Sequence, residues 1–274
     1  MGTDAGAEVN AGQRFAFGAN WARFLKSMSE ERIDVAIKSL QIMLGSDRLD
    51  RCSFLDAGSG SGLFSLAARR LGANVISFDF DRQSVACTAE LKRLYSPDDN
   101  HWRIEQGSVL DSTYLQALGQ FDVVYSWGVL HHTGAMWQAL ENVAPLVRGG
   151  GSLFIAIYND EGYKSRRWTR IKRWYNETKW VRPILLTYGL LHAWALPTAI
   201  DFYHLRPFSS WRHYVKERGM SPRRDVVDWI GGWPFEVATP EAIFDFLRDR
   251  GFVLQRLVTR QGLGCNEFVF IKQE

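Results

Sequence analysis

The sequence of 274 residues predicts an α/β protein with a doubly wound, mostly parallel sheet. Three observations carry that prediction. Short apolar runs alternate with stretches of helical apolar spacing between residues 50 and 158. A glycine-rich turn, Gly58-Ser59-Gly60-Ser61-Gly62, joins the first run to the first helix of the alternation. Finally, Asp56, Asp79, Ser108 and Ser126 all fall at the carboxyl ends of runs, the edge at which such sheets bind ligands.

The elements follow in order. Residues 1–12 are small and polar and read as a lead-in. An aromatic cluster over 14–25 precedes a helix for which Ser27 and Glu30 form a capping box, and Ile33, Ile37, Leu40 and Leu44 form its apolar stripe. Phe54 and Leu55 end a buried strand, and 63–71 is the helix after the glycines. Then come a strand over 74–79, a helix over 82–95, and strands over 102–106, 121–126 and 151–157. Thr239-Pro240-Glu241 starts a late helix with a capping hydroxyl and Pro in its first turn, and Ile243, Phe244 and Leu247 give it a buried face. Strands over 252–259 and 267–271 close the chain, joined by 261–264.

The glycine turn lets backbone approach a ligand without an intervening Cβ, while helix-start N–H groups point toward it. Asp79 lies about 20 residues beyond the glycines, the spacing at which a carboxylate accepts both hydroxyls of a ribose. That indicates a nucleoside. Asp56 at the mouth of the turn repels a pyrophosphate and attracts an ammonium group, which favours S-adenosylmethionine (SAM), a ligand with an ammonium, a sulfonium and no phosphate. Leu63 stands where the third glycine of a dinucleotide fingerprint falls, and no Lys-Ser or Lys-Thr follows, which excludes a phosphate-cradling loop.

Residues 55–62, Asp79, Gly107-Ser108-Val109-Leu110-Asp111 and the run from Phe121 to His132 together resemble the class I SAM-dependent methyltransferases, small-molecule type, in the family's order. The resemblance covers about 50–158 and resumes at about 238–274. It implies a Rossmann-like core with an antiparallel last strand, and SAM as cofactor held by Asp56, Ala57, Gly58, Gly60, Asp79, Phe80, Ser108, Val109 and Ser126. Phe80 and Val109 would flank the adenine; the family often has an acid where Ser108 stands, so its hydroxyl or backbone must hold the adenine amino group here. In similar proteins the segment corresponding to 1–49 folds over the cofactor, which brings Phe17, Asn20 and Trp21 to the site; plain packing against the domain is the alternative.

Residues 159–237 are not covered by the resemblance and read as a largely helical inserted cap that determines the substrate. Lys164, Arg166, Arg167, Arg170, Lys172, Arg173 and Lys179 are interleaved there with Trp168, Trp174, Tyr175 and Trp180. The apolar run 183–205 is interrupted by Pro197 and holds His192 and Asp201, too broken for a membrane span. It reads first as a buried helical hairpin and second as an interfacial helix touching lipid, with a dimer contact or a lid as further alternatives; the second reading is the one that gives peripheral membrane contact through 163–205. A net charge of +3 gives no reason for nucleic acid as a partner, although the basic and aromatic stretch keeps RNA as a minority reading. Cys52, Cys87 and Cys265 have no metal-ligand spacing and read as reduced thiols, no metal is expected, and the first residues carry no apolar signal segment, so the chain is expected in the cytoplasm.

Methyl transfer from a sulfonium requires positioning and exclusion of water. A protonated acceptor also needs a base, and His131 and His132, after the fourth strand, are the candidates. His132 is preferred, because His131 continues the apolar Val129-Leu130 run and should point inward. His204, His213, Tyr214, Trp229, Trp233 and Glu236 are candidates to complete the pocket. Ser126-Trp127-Gly128-Val129 lacks the acid or amide followed by two prolines and an aromatic that marks methylation of base amino groups, and no Pro-Cys pair suits attack on a pyrimidine. The reading is a SAM-dependent methyltransferase with a small-molecule acceptor, aromatic or lipid-like; an RNA-directed enzyme and a SAM-binding module without turnover are the alternatives.

Overall fold

The computed structural model describes residues 28–218 and 222–274, with Glu8, Ala11, 13–15, Gly18, Trp21 and Leu25 before them. The predicted positions Phe17, Asn20 and Ser27 lie outside the described residues. The chain divides into two compact units, one of Gly18–Ser165 and Phe235–Glu274, the other of Met1–Phe17 and Arg166–Pro234.

The larger unit holds one seven-stranded sheet in the order β3-β2-β1-β4-β5-β7-β6. Its strands are β1 (Ser53–Ala57), β2 (Asn74–Asp79), β3 (Trp102–Gln106), β4 (Phe121–Trp127), β5 (Val147–Tyr158), β6 (Phe252–Val258) and β7 (Cys265–Lys272). β1 to β5 run parallel, and β7 inserts antiparallel between β5 and β6. The helices around it are α1 (Glu30–Leu44), α2 (Leu63–Arg70), α3 (Arg82–Tyr95), α4 (Ser112–Leu118), α5 (Met136–Val143) and, near the end of the chain, Pro240–Arg248. Strand alternation sorts the core into two layers. Phe54, Val75, Trp102, Val123 and Phe154 pack with Ile33 and Leu40 of α1, Leu66 of α2 and Leu91 of α3. Leu55, Ala57, Val124, Leu153 and Ile155 face the opposite way, onto Leu115, Leu140, Val143, Ile243 and Leu247.

The cap on α1 differs from the predicted box. Ser29 is the N-cap, its Oγ accepting from Arg32 N at 3.4 Å, and Gly45 ends the helix at φ 66°. α4 and α5 carry no expectation from the sequence. Asp111 caps α4 by accepting from Tyr114 N at 3.0 Å, and Glu236, distant in sequence, accepts from Met136 N at the start of α5.

The smaller unit holds α6 (Tyr163–Glu177, which starts in the larger unit), α7 (Arg182–Tyr203), α8 (Ser209–Arg218) and α9 (Pro222–Gly231). The late helix Pro240–Arg248 is then α10. Contrary to the expected interruption, α7 runs through Pro197 as one helix of 22 residues. The carbonyl that Pro197 cannot serve belongs to Ala193, which is exposed to water. α7 crosses α9 closely at Gly189, where a Cβ would stand 2.9 Å from Val226 Cγ1. Lys172, expected on the basic face of α6, points inward instead: its Nζ donates to the Trp229 carbonyl and sits 4.0 Å from the centre of the Trp229 ring, and burial pulls its pKa down to about 7.

The chain leaves the sheet and returns to it at one place. Asn159, just past β5, pairs with Ala238; Ala238 N donates to the Tyr158 carbonyl at 3.0 Å and Asp160 N to the Ala238 carbonyl at 3.1 Å.

Candidate functional site

The carboxyl edge of β1 and β2 forms the centre of the site. Gly58, Gly60 and Gly62 have φ of 93°, 55° and 80°, a region that costs any residue with a Cβ and that lets the turn wrap tightly into α2. Gly58 N and Ser59 N both donate to the Phe78 carbonyl, at 2.9 and 3.0 Å, which ties the turn to β2. Gly60 N donates to Asp79 Oδ2 at 2.9 Å, and Asp81 N donates to Asp79 Oδ1 at 2.9 Å. Two backbone donors therefore fix the Asp79 carboxylate at the rim, and carboxylate oxygens accept more than one hydrogen bond each.

Asp81, which sequence reasoning passed over, does two things. Its Oδ1 caps α3 by accepting from Gln83 N at 2.9 Å, and its Oδ2 accepts from Gly18 N at 3.0 Å. The acid immediately before a helical run was the available signal. The N-terminal segment so anchored brings Trp21 onto the turn: a Cβ at Gly60 would stand 2.9 Å from Trp21 Cε2.

Asp56 is placed differently from the expectation of an acid at the mouth of the turn. It is 2% exposed, and Ser65 Oγ of α2 donates to its Oδ2. Ser65 Oγ lies 2.7 Å from Ser77 Oγ, which accepts from Trp102 Nε1 at 2.7 Å, so a hydrogen-bonded chain runs across β1, α2, β2 and β3 under the turn. The reason is alternation: residue 56 shares the face of Phe54, which α2 covers. Burial raises the Asp56 pKa to about 7 despite the Ser65 hydrogen bond, with the Asp79 charge adding to the rise.

The remaining predicted positions divide likewise. Ser126 is fully buried and donates to the Ala57 carbonyl at 2.8 Å, which makes it a tie between β4 and β1 rather than a surface a ligand reaches; the Ala57 side chain is buried too. Val109 belongs to the core, and its carbonyl accepts from Asn142 Nδ2 at 3.0 Å. Ser108 and Phe80 are half-buried. Ser108 Oγ accepts from Leu110 N at 3.1 Å and the Phe80 carbonyl from Gln106 Nε2 at 3.3 Å.

Beyond β4, Gly128 at φ 75° turns the chain into a short 3-10 turn, Leu130–His132. Val129 joins this turn to the glycines, since a Cβ at Gly58 would stand 2.5 Å from Val129 Cγ1. His131 is fully buried and His132 is 8% exposed. Their ring centres lie 4.6 Å apart, and the Tyr158 ring stands 4.2 Å from His131 and 5.5 Å from His132. Phe235 closes the group 5.1 Å from Tyr158. Glu236 N donates to the His131 carbonyl at 2.9 Å, while its carboxylate takes the α5 N-terminus; burial raises its pKa. Sequence reasoning used Tyr158 only as a boundary, because nothing in the sequence brings the end of β5 to the histidines.

Of the other pocket candidates, Trp229 packs on Trp168 and Lys172, Trp233 lies under Arg173, and Tyr214 donates to Asp225, all within the smaller unit. Among the described residues no group of three His, Cys, Asp or Glu could hold a metal, and the three cysteines are free thiols.

The notch fits a cationic nucleoside. Between Asp56 and Asp81 the sole basic residues are Arg69 and Arg70, and these pair with Asp99 and Glu30. Asp79 faces the turn at its rim and supplies the negative charge, while Val129 and Trp21 pack directly on Gly58 and Gly60 and form the walls beside the turn. A family model described as a methyltransferase domain matches residues 55–153. A ubiquinone biosynthesis O-methyltransferase of Parvibaculum lavamentivorans is 34% identical over 112 residues, 39% of this chain and 40% of that protein. The chain thus spans about two fifths of the length of the curated relative. Among solved structures, an O-methyltransferase family protein from Burkholderia thailandensis superposes with a TM-score of 0.57 at 13% identity, over 98% of this chain and 67% of that one. The magnesium protoporphyrin IX methyltransferase of Synechocystis PCC 6803, crystallised with S-adenosylhomocysteine (SAH), gives 0.52 at 15% identity, over 92% and 84%. These two likenesses are of fold. Residues 55–153 are thus a methyltransferase domain, set in the fold of the class I SAM-dependent methyltransferases, a family whose cofactor is SAM.

Proposed function

We propose that this chain transfers a methyl group from SAM to a small-molecule acceptor, aromatic or lipid-like, with His132 taking the acceptor's proton. The observation that carries the reading is the ring group of His131, His132, Tyr158 and Phe235, joined to the glycine turn through Val129. SAM, when bound, supplies an electrophilic methyl on a sulfonium. Asp79 accepts from the ribose hydroxyls, the backbone at Gly58 and Gly60 lies along the amino acid tail, and Phe80 meets the adenine. Buried Asp56 acts by holding α2 through Ser65, so that the turn keeps its shape. Tyr158 offers flat apolar surface to an acceptor ring, with the buried Phe235 ring packed behind it, and keeps water from that ring. The imidazole of His132, its ring centre 5.5 Å from that of Tyr158, takes the proton of a hydroxyl or amine.

The test is incubation of the full chain with methyl-labelled SAM and a panel of phenols, catechols, porphyrins and cell lipid extract, with SAH as the readout. His132→Ala is expected to lose turnover by about a hundredfold or more while SAM affinity holds. SAH formation with transfer RNA and with no small acceptor would replace this reading by an RNA-directed one. SAM binding with no SAH from any pool would leave a binding module.

A further inference from the structure

Charge is segregated along this chain. Over 163–214 there are ten Lys and Arg residues against Glu177 and Asp201 alone, a net +8 in a chain whose total is +3. The described structure sorts these residues. On α6, Trp168, Lys172, Tyr175 and Asn176 are buried, while Arg166, Arg167, Arg170 and Arg173 are exposed together with Trp174 on the opposite face. Of the two acids, Asp201 is buried and accepts from Ser210 N at 2.8 Å, while Glu177 is exposed at the end of the arginine face of α6 and offsets one of its charges.

α7 adds an apolar surface to this basic one. The segment Lys179–Tyr203 is long and apolar enough to cross a membrane, yet only 6% of its apolar window is buried. Ile184 and Leu191, seven apart and so on one side of the helix, are 61% and 62% exposed, and Leu196 is 71% exposed. Trp180 and Leu205 extend the exposed surface at the two ends. α7 meets α9 through Gly189, α8 through Trp194 against Trp211, and α6 through Tyr188 against Trp168. A span is disfavoured, because Arg182 donates to the Tyr175 and Asn176 carbonyls and Asp201 caps α8, polar bonds a bilayer core would have to receive with the helices that carry them.

We propose that the smaller unit docks on an anionic phospholipid surface such as a cytoplasmic leaflet, with Ile184 and Leu191 entering the headgroup boundary and the α6 arginines lying on lipid phosphates. Nucleic acid satisfies the arginines and leaves the apolar stripe in water; lipid satisfies both. The inference stands independently of methyl transfer.

The experiment is flotation of the full chain with phosphatidylcholine vesicles, with and without phosphatidylglycerol, at low and high salt. Wild-type protein is expected to float with the anionic vesicles and to lose part of that binding as salt rises. Leu191→Ser is expected to weaken partitioning by about tenfold at either salt, and Arg170→Gln by about fivefold at low salt only. Both positions are exposed, and far-ultraviolet dichroism checks the fold. Flotation that is absent with both vesicle types, or equal in wild type and Leu191→Ser, overturns the proposal. So does salt-sensitive RNA binding without flotation, or a wild-type dimer that Leu191→Ser turns to monomer with no lipid bound by either.

Discussion

Replacing Asp79 tests the notch directly. Its carboxylate accepts from Gly60 N through one oxygen and from Asp81 N through the other, each at 2.9 Å, and in the proposed complex also takes the sugar hydroxyls. Asn at this position keeps one carbonyl oxygen and turns an NH2 toward the second backbone N–H. A hydrogen bond to a charged group contributes ~1.5–3 kcal/mol and a neutral one ~1 kcal/mol. Asp79→Asn is therefore expected to raise the SAM dissociation constant at least about tenfold, which is ~1.4 kcal/mol. Asp79→Ala, with both acceptors gone, should cost more. Titration calorimetry with SAM and SAH measures the affinity, and urea melts measure the loss of the two internal bonds. Ser59→Ala is the control: its Oγ lies 3.0 Å from Thr88 Oγ1, so the variant loosens the turn without touching the carboxylate. A folded Asp79→Ala protein with wild-type SAM affinity would refute the assignment. An equal loss in Ser59→Ala would assign the effect to the turn.

Other substitutions probe the frame. Gly58→Ala at φ 93° should destabilise by about 1 to 2 kcal/mol from backbone strain alone, with a further loss from the Val129 contact that Val129→Ala in the same chain relieves only in part, because the Val129 Cβ itself stands 2.9 Å from the added one; denaturant melts read both. Burial holds the Asp56 pKa at about 7 in the folded state, above the ordinary carboxylate value near 3.9. Between those values the folded state binds the extra proton, so stability is greatest at the acid end and falls by roughly 4 kcal/mol as pH rises to 7. Asp56→Asn should flatten that slope in urea melts, and an unchanged slope would place the titration elsewhere. Thr239→Ala removes the hydroxyl that accepts from Ala242 N at 3.2 Å and should cost about 1 kcal/mol.

What was legible in the sequence follows from the range of the forces involved. β2, β3 and α3 are bounded by turn and cap residues beside them, and the structure gives Asn74–Asp79, Trp102–Gln106 and Arg82–Tyr95 at the expected bounds. The glycine turn is legible because a positive φ leaves its mark in composition. Depth is not: whether Asp56 and Ser126 face a ligand or the core depends on neighbours distant in sequence, Ser65 of the covering helix α2 for Asp56 and the Ala57 carbonyl of the adjacent strand β1 for Ser126. α5 is short, and the acid at its N-terminus is Glu236, a hundred positions away. Tyr158 reaches the histidines through the register of β4 with β5, in which Trp127 pairs with Ala156.

The junction at Asn159 and Ala238 has a consequence for how this protein could change over time. Because departure and return are hydrogen-bonded neighbours, the segment between them is a closed excursion, and its replacement by another of different length leaves the ends where they were. Helices can be exchanged at this graft point while β1, β2 and their glycine turn are inherited intact.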